Sequence, residues 1–151
     1  MNNKVVLAFS GGLDTSFCVP YLKEKGYEVH TVMVNTGGFS AEEEKAIESR
    51  ALALGAASHK NVNAVETYYT KGIKYLIYGN ILKNATYPLS VSSERVFQAL
   101  EVLKHVKELG AGAVAHGSTG AGNDQVRFDI VFEILAPEVK IIAPVRDEGF
   151  T

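Results

Sequence analysis

Residues Lys4 to Ser16 read KVVLAFSGGLDTS, an apolar run of strand type that enters a glycine pair and leaves through Asp14, Thr15 and Ser16 into a helix. Residues of these types in this order bind anions. Gly11 and Gly12 carry no Cβ, so the backbone can turn sharply and approach a ligand closely. The hydroxyls of Ser10, Thr15 and Ser16, with the amides left unpaired at a helix start, supply several donors to phosphate oxygens. The alternative is an ordinary turn with Asp14 or Thr15 as N-cap. The lysine of GxxxxGK(S/T) is missing and no GxGxxG follows the strand, so neither of those nucleotide signatures applies. A second glycine-rich stretch, GSTGAGND, follows another short apolar run that ends at His116. That histidine reads as a strand-end residue bonded to backbone rather than a general base. His30, His59 and His105 show no metal-ligand spacing.

The elements that position these loops alternate. After the opening strand, a helix passes Leu22 and stops near Gly26, and a second strand covers Glu28 to Val34. Ser40 and Glu43 form an S-x-x-E capping box before a helix over Ala41 to Leu54, with Gly55 placed for a left-handed C-cap. A short strand is expected near Ser58 to Val62. Val65, Tyr69, Ile73 and Leu76 then mark a helical face that ends near Gly79 and Asn80. The turn formers of Asn84 to Ser93 predict an exposed loop of the kind that often holds ligands. A helix over Glu94 to Leu109 ends at Gly110, a strand covers Ala113 to His116, a helix runs to Leu135 before Pro137, and Val139 to Ala143 supplies the last strand. This order predicts an α/β fold, a three-layer parallel sheet with helices on both faces and right-handed crossovers. Ligands of such sheets sit beyond the carboxyl ends of the strands, where both glycine loops can open.

With 151 residues the chain is the size of one domain. Hydrophobic residues make up 46% and charged residues 21%, which argues against disorder. A net charge of -2 gives no general attraction to nucleic acid or anionic membrane, and neither is expected as a partner. The lone Cys18 cannot form an internal disulfide, and with no signal peptide or long apolar run a cytoplasmic location is expected.

SGGLDTS after a strand resembles the pyrophosphate loop of the ATP pyrophosphatase superfamily. TYPL at Thr86 to Leu89, AHGSTGAGNDQVRF at Ala115 to Phe128 and IIAPVR at Ile141 to Arg146 are, in the same order and spacing, similar to the argininosuccinate synthase family. The resemblance covers residues 1–151 but corresponds only to the nucleotide-binding part of that family. It implies an adenine nucleotide alpha hydrolase-like (Rossmann-like) domain, followed in the full-length enzyme by a synthetase domain and a helix used to assemble a homotetramer. The reaction it implies joins citrulline to aspartate with ATP and Mg2+, by way of citrullyl-AMP, giving argininosuccinate, AMP and pyrophosphate in arginine biosynthesis. Such chemistry asks chiefly for alignment and charge stabilisation, so no covalent protein nucleophile is needed and no catalytic residue is assigned.

Carried residue by residue, the resemblance places ATP at Ala8, Ser10, Gly11, Gly12, Asp14, Thr15, Ser16 and Gly117. Asp14 is open to two roles, assisting Mg2+ or capping a helix. Citrulline falls to Tyr87, Ser92, Asn123 and Arg127, with Arg127 on its carboxylate; the alternative for Arg127 is an ion pair with Asp124. Aspartate falls to Thr119, Asn123 and Asp124, although Asn123 or Asp124 could instead be an N-cap. The chain departs from the family where YPLGTSLARP is common: Ser90 replaces glycine and Val91 replaces a threonine that helps hold aspartate. Ala121 stands where lysine is usual. Two other readings remain, an N-type ATP pyrophosphatase that adenylates a different acceptor and a non-catalytic nucleotide-binding module.

Overall fold

Five parallel strands form the centre of the molecule in the order β3-β2-β1-β6-β7. The computed structural model describes residues 3–149; residues 1, 2, 150 and 151 of the expected domain lie outside the described residues. β1 (Lys4–Ala8) pairs with β2 (Glu28–Asn35) from Lys4 opposite Glu28 to Ala8 opposite Val32, and on its other side with β6 (Ala113–Ala115). β3 (Ser58–Asn63) and β7 (Lys140–Ile142) are the edges. The period-two alternation of β1 decides the layers. Val5 and Leu7 face one side, where α1 (Leu13–Glu24) contributes Cys18, Val19 and Leu22 and α2 (Ala41–Ala53) contributes Ile47 and Ala51. Val6 faces the other. There α5 (Ser90–Leu109) brings Ala99, Val102, Leu103 and Val106, and α6 (Asp124–Leu135) brings Phe128, Val131 and Phe132. Each fully buried Val or Leu of these layers is worth about 1.5–3 kcal/mol relative to exposure.

The three-layer parallel architecture expected from the sequence is the one observed. The Ser40–Glu43 capping box forms in both directions, Glu43 N–H to Ser40 Oγ and Ser40 N–H to Glu43 Oε2. Gly55 and Gly110 take the left-handed conformation at the ends of α2 and α5. α1 carries Pro20 and continues to Glu24.

Three expectations change. The helical face after Val65 is broken into α3 (Val65–Tyr68), a π-helical turn over Tyr69–Ile73 and α4 (Lys74–Tyr78). The exposed loop expected over Asn84 to Ser93 is instead a hairpin, β4 (Leu82–Lys83) with antiparallel β5 (Tyr87–Pro88), followed at once by α5. α5 thus begins at Ser90, four residues before the predicted Glu94. The reason is tertiary: the Tyr68 hydroxyl donates to the Ser90 carbonyl at 2.6 Å and fixes the first turn. A final short helix, α7 (Pro144–Asp147), follows β7 and was not anticipated.

Candidate functional site

The strand order reverses between β1 and β6, because the chain leaves β1 toward β2 and β3 and then crosses back to the far side of β1. A crevice opens at such a switch point, outside the carboxyl ends of the two strands. Each of these strands ends in a glycine-rich loop, and the two loops touch. Gly117 lies so close to the start of α1 that a Cβ there would sit 2.9 Å from Thr15 Cγ2 and 3.1 Å from the Thr15 amide nitrogen.

The first loop is built as a donor cluster. Phe9 N–H bonds Val32 O at 2.8 Å and prolongs the sheet, after which Gly11 turns the chain at φ +74°. Its carbonyl accepts from Arg50 on α2, and a Cβ at Gly11 would meet Ile47 Cγ1 at 3.0 Å. Gly12 is the N-cap of α1 and supplies no side-chain cap. The first amide of the helix to find a partner is Ser16 N–H, on Gly12 O at 2.9 Å. The amides of Leu13, Asp14 and Thr15 have no acceptor among the described residues and carry the positive end of the helix dipole. Ser10 Oγ and Thr15 Oγ1 lie 3.3 Å apart beside them.

A cavity of about 860 Å³ spans both loops. Lining it are Ala8, Ser10, Gly12, Asp14 and Thr15 of the first loop, Gly117, Thr119, Asn123, Asp124 and Arg127 of the second loop and α6, and Tyr87 and Ser92 of the hairpin and α5. Two residues expected at the site from the sequence do not line it. Gly11 is turned toward α2, and the Ser16 hydroxyl is buried with no partner among the described residues.

Charge is concentrated on the wall formed by α5 and α6. Asp124 accepts from Arg127 Nη1 at 2.6 Å and from Arg95 Nε at 2.9 Å. Arg127 Nη2 also donates to Ser92 Oγ at 3.0 Å, and Arg95 Nη1 to Gln98 Oε1 at 3.0 Å. Partial burial raises the Asp124 carboxyl, but the adjoining guanidiniums of Arg95 and Arg127 outweigh it and hold the carboxyl below the usual range. The Asp124–Arg127 pair weighed from the sequence is present, whereas Asn123 stands at the start of α6 without a side-chain cap bond.

No side chain here is poised as a nucleophile. Burial, then the charge of Asp14, pushes the Cys18 thiol up to about 12, so at neutral pH it is inert. His116 is buried beneath the second loop, its Nδ1 accepting from Ser118 N–H at 3.3 Å and its Nε2 lying 3.0 Å from Asp129 Oδ1. Since Nδ1 accepts, Nε2 carries the proton and donates it. The arrangement can therefore bind an anion at one end and paired charges at the other, and align them.

A family model described as the arginosuccinate synthase N-terminal HUP domain matches residues 4–151. The chain belongs to the argininosuccinate synthase family. Among curated argininosuccinate synthases, that of Xanthomonas axonopodis pv. citri (strain 306) is 49% identical over 143 residues, which is 95% of this chain and 34% of that protein. That of Pyrobaculum aerophilum is 45% identical over 150 residues, 99% of this chain and 37% of that protein. The chain thus spans about a third of the length of these relatives. Solved structures share its fold: a predicted tRNA methyltransferase subunit from Methanocaldococcus jannaschii DSM at TM-score 0.62, with 21% identity, covering 98% of this chain and 69% of that one. NMN synthetase from Francisella tularensis superposes at TM-score 0.61 with 8% identity over 78% of this chain and 46% of that one.

Within this member of the argininosuccinate synthase family, sequence reasoning missed Arg95, Gln98 and Gln125 as lining residues. Arg95 lies three residues after Ser92 in the SSERV segment, and what brings it to the site is its bond to Asp124 across α5 and α6, which no local sequence pattern announces.

Proposed function

We propose that this chain is the ATP-binding part of an argininosuccinate synthase, an ATP-dependent ligase that joins citrulline to aspartate. The observation that carries the reading is that three acceptor-free amides at the α1 start open into the same cavity as the Asp124–Arg127 pair. The triphosphate would lie on Ser10, Gly12, Thr15 and those amides, with the Ala8 and Gly117 backbones beside the nucleotide. Gly11 serves by making the turn. Citrulline would be held by Tyr87, Ser92, Asn123 and Arg127, and aspartate by Thr119, Asn123 and Asp124. Two zwitterions suit this wall: a substrate carboxylate can take over Arg127 and a substrate ammonium Asp124, so no charge is left unpaired when the pair opens. In the first step the citrulline ureido oxygen attacks the α-phosphorus and pyrophosphate leaves; in the second the aspartate amine displaces AMP. The loop amides stabilise the charge that develops on the phosphate oxygens.

No group of three or more His, Cys, Asp or Glu among the described residues could hold a metal ion on its own. A Mg2+ ion carried in on the phosphates fits better, with Asp14 as the carboxylate at that mouth, and it would supply screening of the phosphate charge. Val91 lines the cavity with a side chain that donates no hydrogen bond, and Ala121 is exposed on the second loop and supplies no lysine charge, so affinity for aspartate rests on Thr119, Asn123 and Asp124. Assembly as a homotetramer and a cytoplasmic location belong to the same proposal; no helix among the described residues is long and apolar enough to cross a membrane.

The test is pyrophosphate and AMP release by the full-length protein, expected to require ATP, citrulline and aspartate together. Asp124→Ala should raise the KM for aspartate about tenfold or more while ATP binding stays within about twofold. Citrulline-independent ATP cleavage, or an unchanged aspartate dependence, would sink the assignment. The 151-residue chain alone is expected to bind ATP without citrulline-dependent turnover.

A further inference from the structure

The IIAPVR segment that ends in Arg146 supplies no lining residue to the cavity, yet it is wired to the second glycine loop. Arg146 Nη1 donates to Asp129 Oδ2 and, at 3.3 Å, to Gln125 Oε1. From Asp129 the path continues through its other oxygen to His116 Nε2 at 3.0 Å, and from His116 Nδ1 to the Ser118 amide. From Gln125 it continues through Nε2 to the carbonyls of Gly120 at 2.7 Å and Gly122 at 3.2 Å. Arg146 is itself held by Asp147, whose second oxygen accepts from Ala143 N–H at 3.0 Å, so the fork is anchored at the C-terminal edge of the sheet. Three points of the loop, at residues 118, 120 and 122, thus depend on one guanidinium. A glycine-rich loop needs such external fixing, because it has few side chains of its own to pack.

We propose that Arg146 is a positioning residue: acting through Asp129, His116 and Gln125, it clamps the loop 117–123 against the α1 start and so keeps the two halves of the cavity in register. The inference rests on the ATP-binding reading for its consequence, but the clamp itself is a claim about loop order. Arginine rather than lysine is required, since only the planar fork reaches Asp129, Asp147 and Gln125 together.

The experiment compares amide hydrogen exchange, resolved by segment, in the 151-residue chain and in Arg146→Met, Arg146→Lys, Gln125→Ala and Asp129→Asn, alongside calorimetric titration with ATP and Mg2+. Arg146→Met should speed exchange across 117–123 about tenfold while the strands at 4–8 and 28–35 stay protected, and should weaken ATP binding about fivefold. Lysine should fail to restore protection, and Asp129→Asn, whose single carbonyl oxygen cannot accept from both Arg146 and His116, should also speed exchange at 118. Unchanged exchange in 117–123, or a uniform rise across the whole chain, overturns the clamp. Should Arg146→Met not fold, Gln125→Ala decides alone, by faster exchange near 120–123 or none. A parent chain that binds no ATP would defeat the functional reading, and the exchange contrast would still judge the clamp.

Discussion

Gly117 is the residue at which the two halves of the site meet. The Thr15 atoms that a Cβ would strike include the amide nitrogen of one of the three acceptor-free donors, so any side chain at 117 must push the second loop away from the first or tilt the start of α1. Overpacking of this kind costs about 1–3 kcal/mol, because backbone rather than a flexible side-chain tip has to yield. Gly117→Ala is therefore expected to lower thermal stability modestly and to weaken ATP binding about tenfold, read by thermal unfolding and calorimetric titration. Equal ATP affinity in parent and variant would show that the two loops do not share a ligand. The same scale explains why Gly11 and Ser16 are absent from the cavity wall although their residue types suit phosphate. The positive φ of Gly11 points its carbonyl at Arg50, and the helical phase of α1 carries Ser16 inward, so neighbours in sequence diverge in direction.

At the scale of elements, what the sequence disclosed is what local chemistry determines. The α2 start is an example, since Ser40 and Glu43 satisfy each other's backbone partners within four residues. Ser40→Ala removes the bond to Glu43 N–H and is expected to cost about 1 kcal/mol, seen as a lower urea midpoint with an unchanged slope. A change in slope instead would mean that the substitution alters the unfolded ensemble and not the cap. The Gly55 and Gly110 stops, the alternation of strands and helices, and both glycine loops were legible for the same reason. The start of α5 was not, because it is set by the hydroxyl of Tyr68, 22 residues away. Two-residue strands such as β4 and β5 are too short to show a period, and α7 spans only Pro144–Asp147. In the site, the residue types of each loop could be read one at a time, but Arg95 on Asp124 and Arg146 on Asp129 join different elements and exist only once the fold is made.

For the whole molecule, the crevice between β1 and β6 places a buried imidazole under the site, and this sets how stability responds to pH. His116 is 1% exposed; burial lowers its pKa below the ordinary 6.5, outweighing the raising effect of Asp129, and the positive charge of Arg146 lowers it further. In the unfolded chain it titrates at its ordinary value, so below that pH the unfolded state binds more protons than the folded one and stability falls with falling pH. The carboxyls of Asp124 and Asp147 behave differently in window though not in sign. Burial raises both, but guanidinium partners, with the Ala143 amide at Asp147, hold them below their ordinary 3.8, so their contribution is present above that value and is lost only as pH falls through it. Two separate steps follow. Stability should be level from about pH 7 to 8, decline as pH falls below about 6.5 and His116 is forced toward its charged form, and decline further below about pH 4. His116→Gln keeps a donor for Asp129 but cannot titrate, so it should abolish the first decline and leave the second. Denaturant titrations across this range check it. If the mild-acid decline persists in His116→Gln, the titrating group lies elsewhere and the buried imidazole beneath the second loop is not what ties the fold to pH.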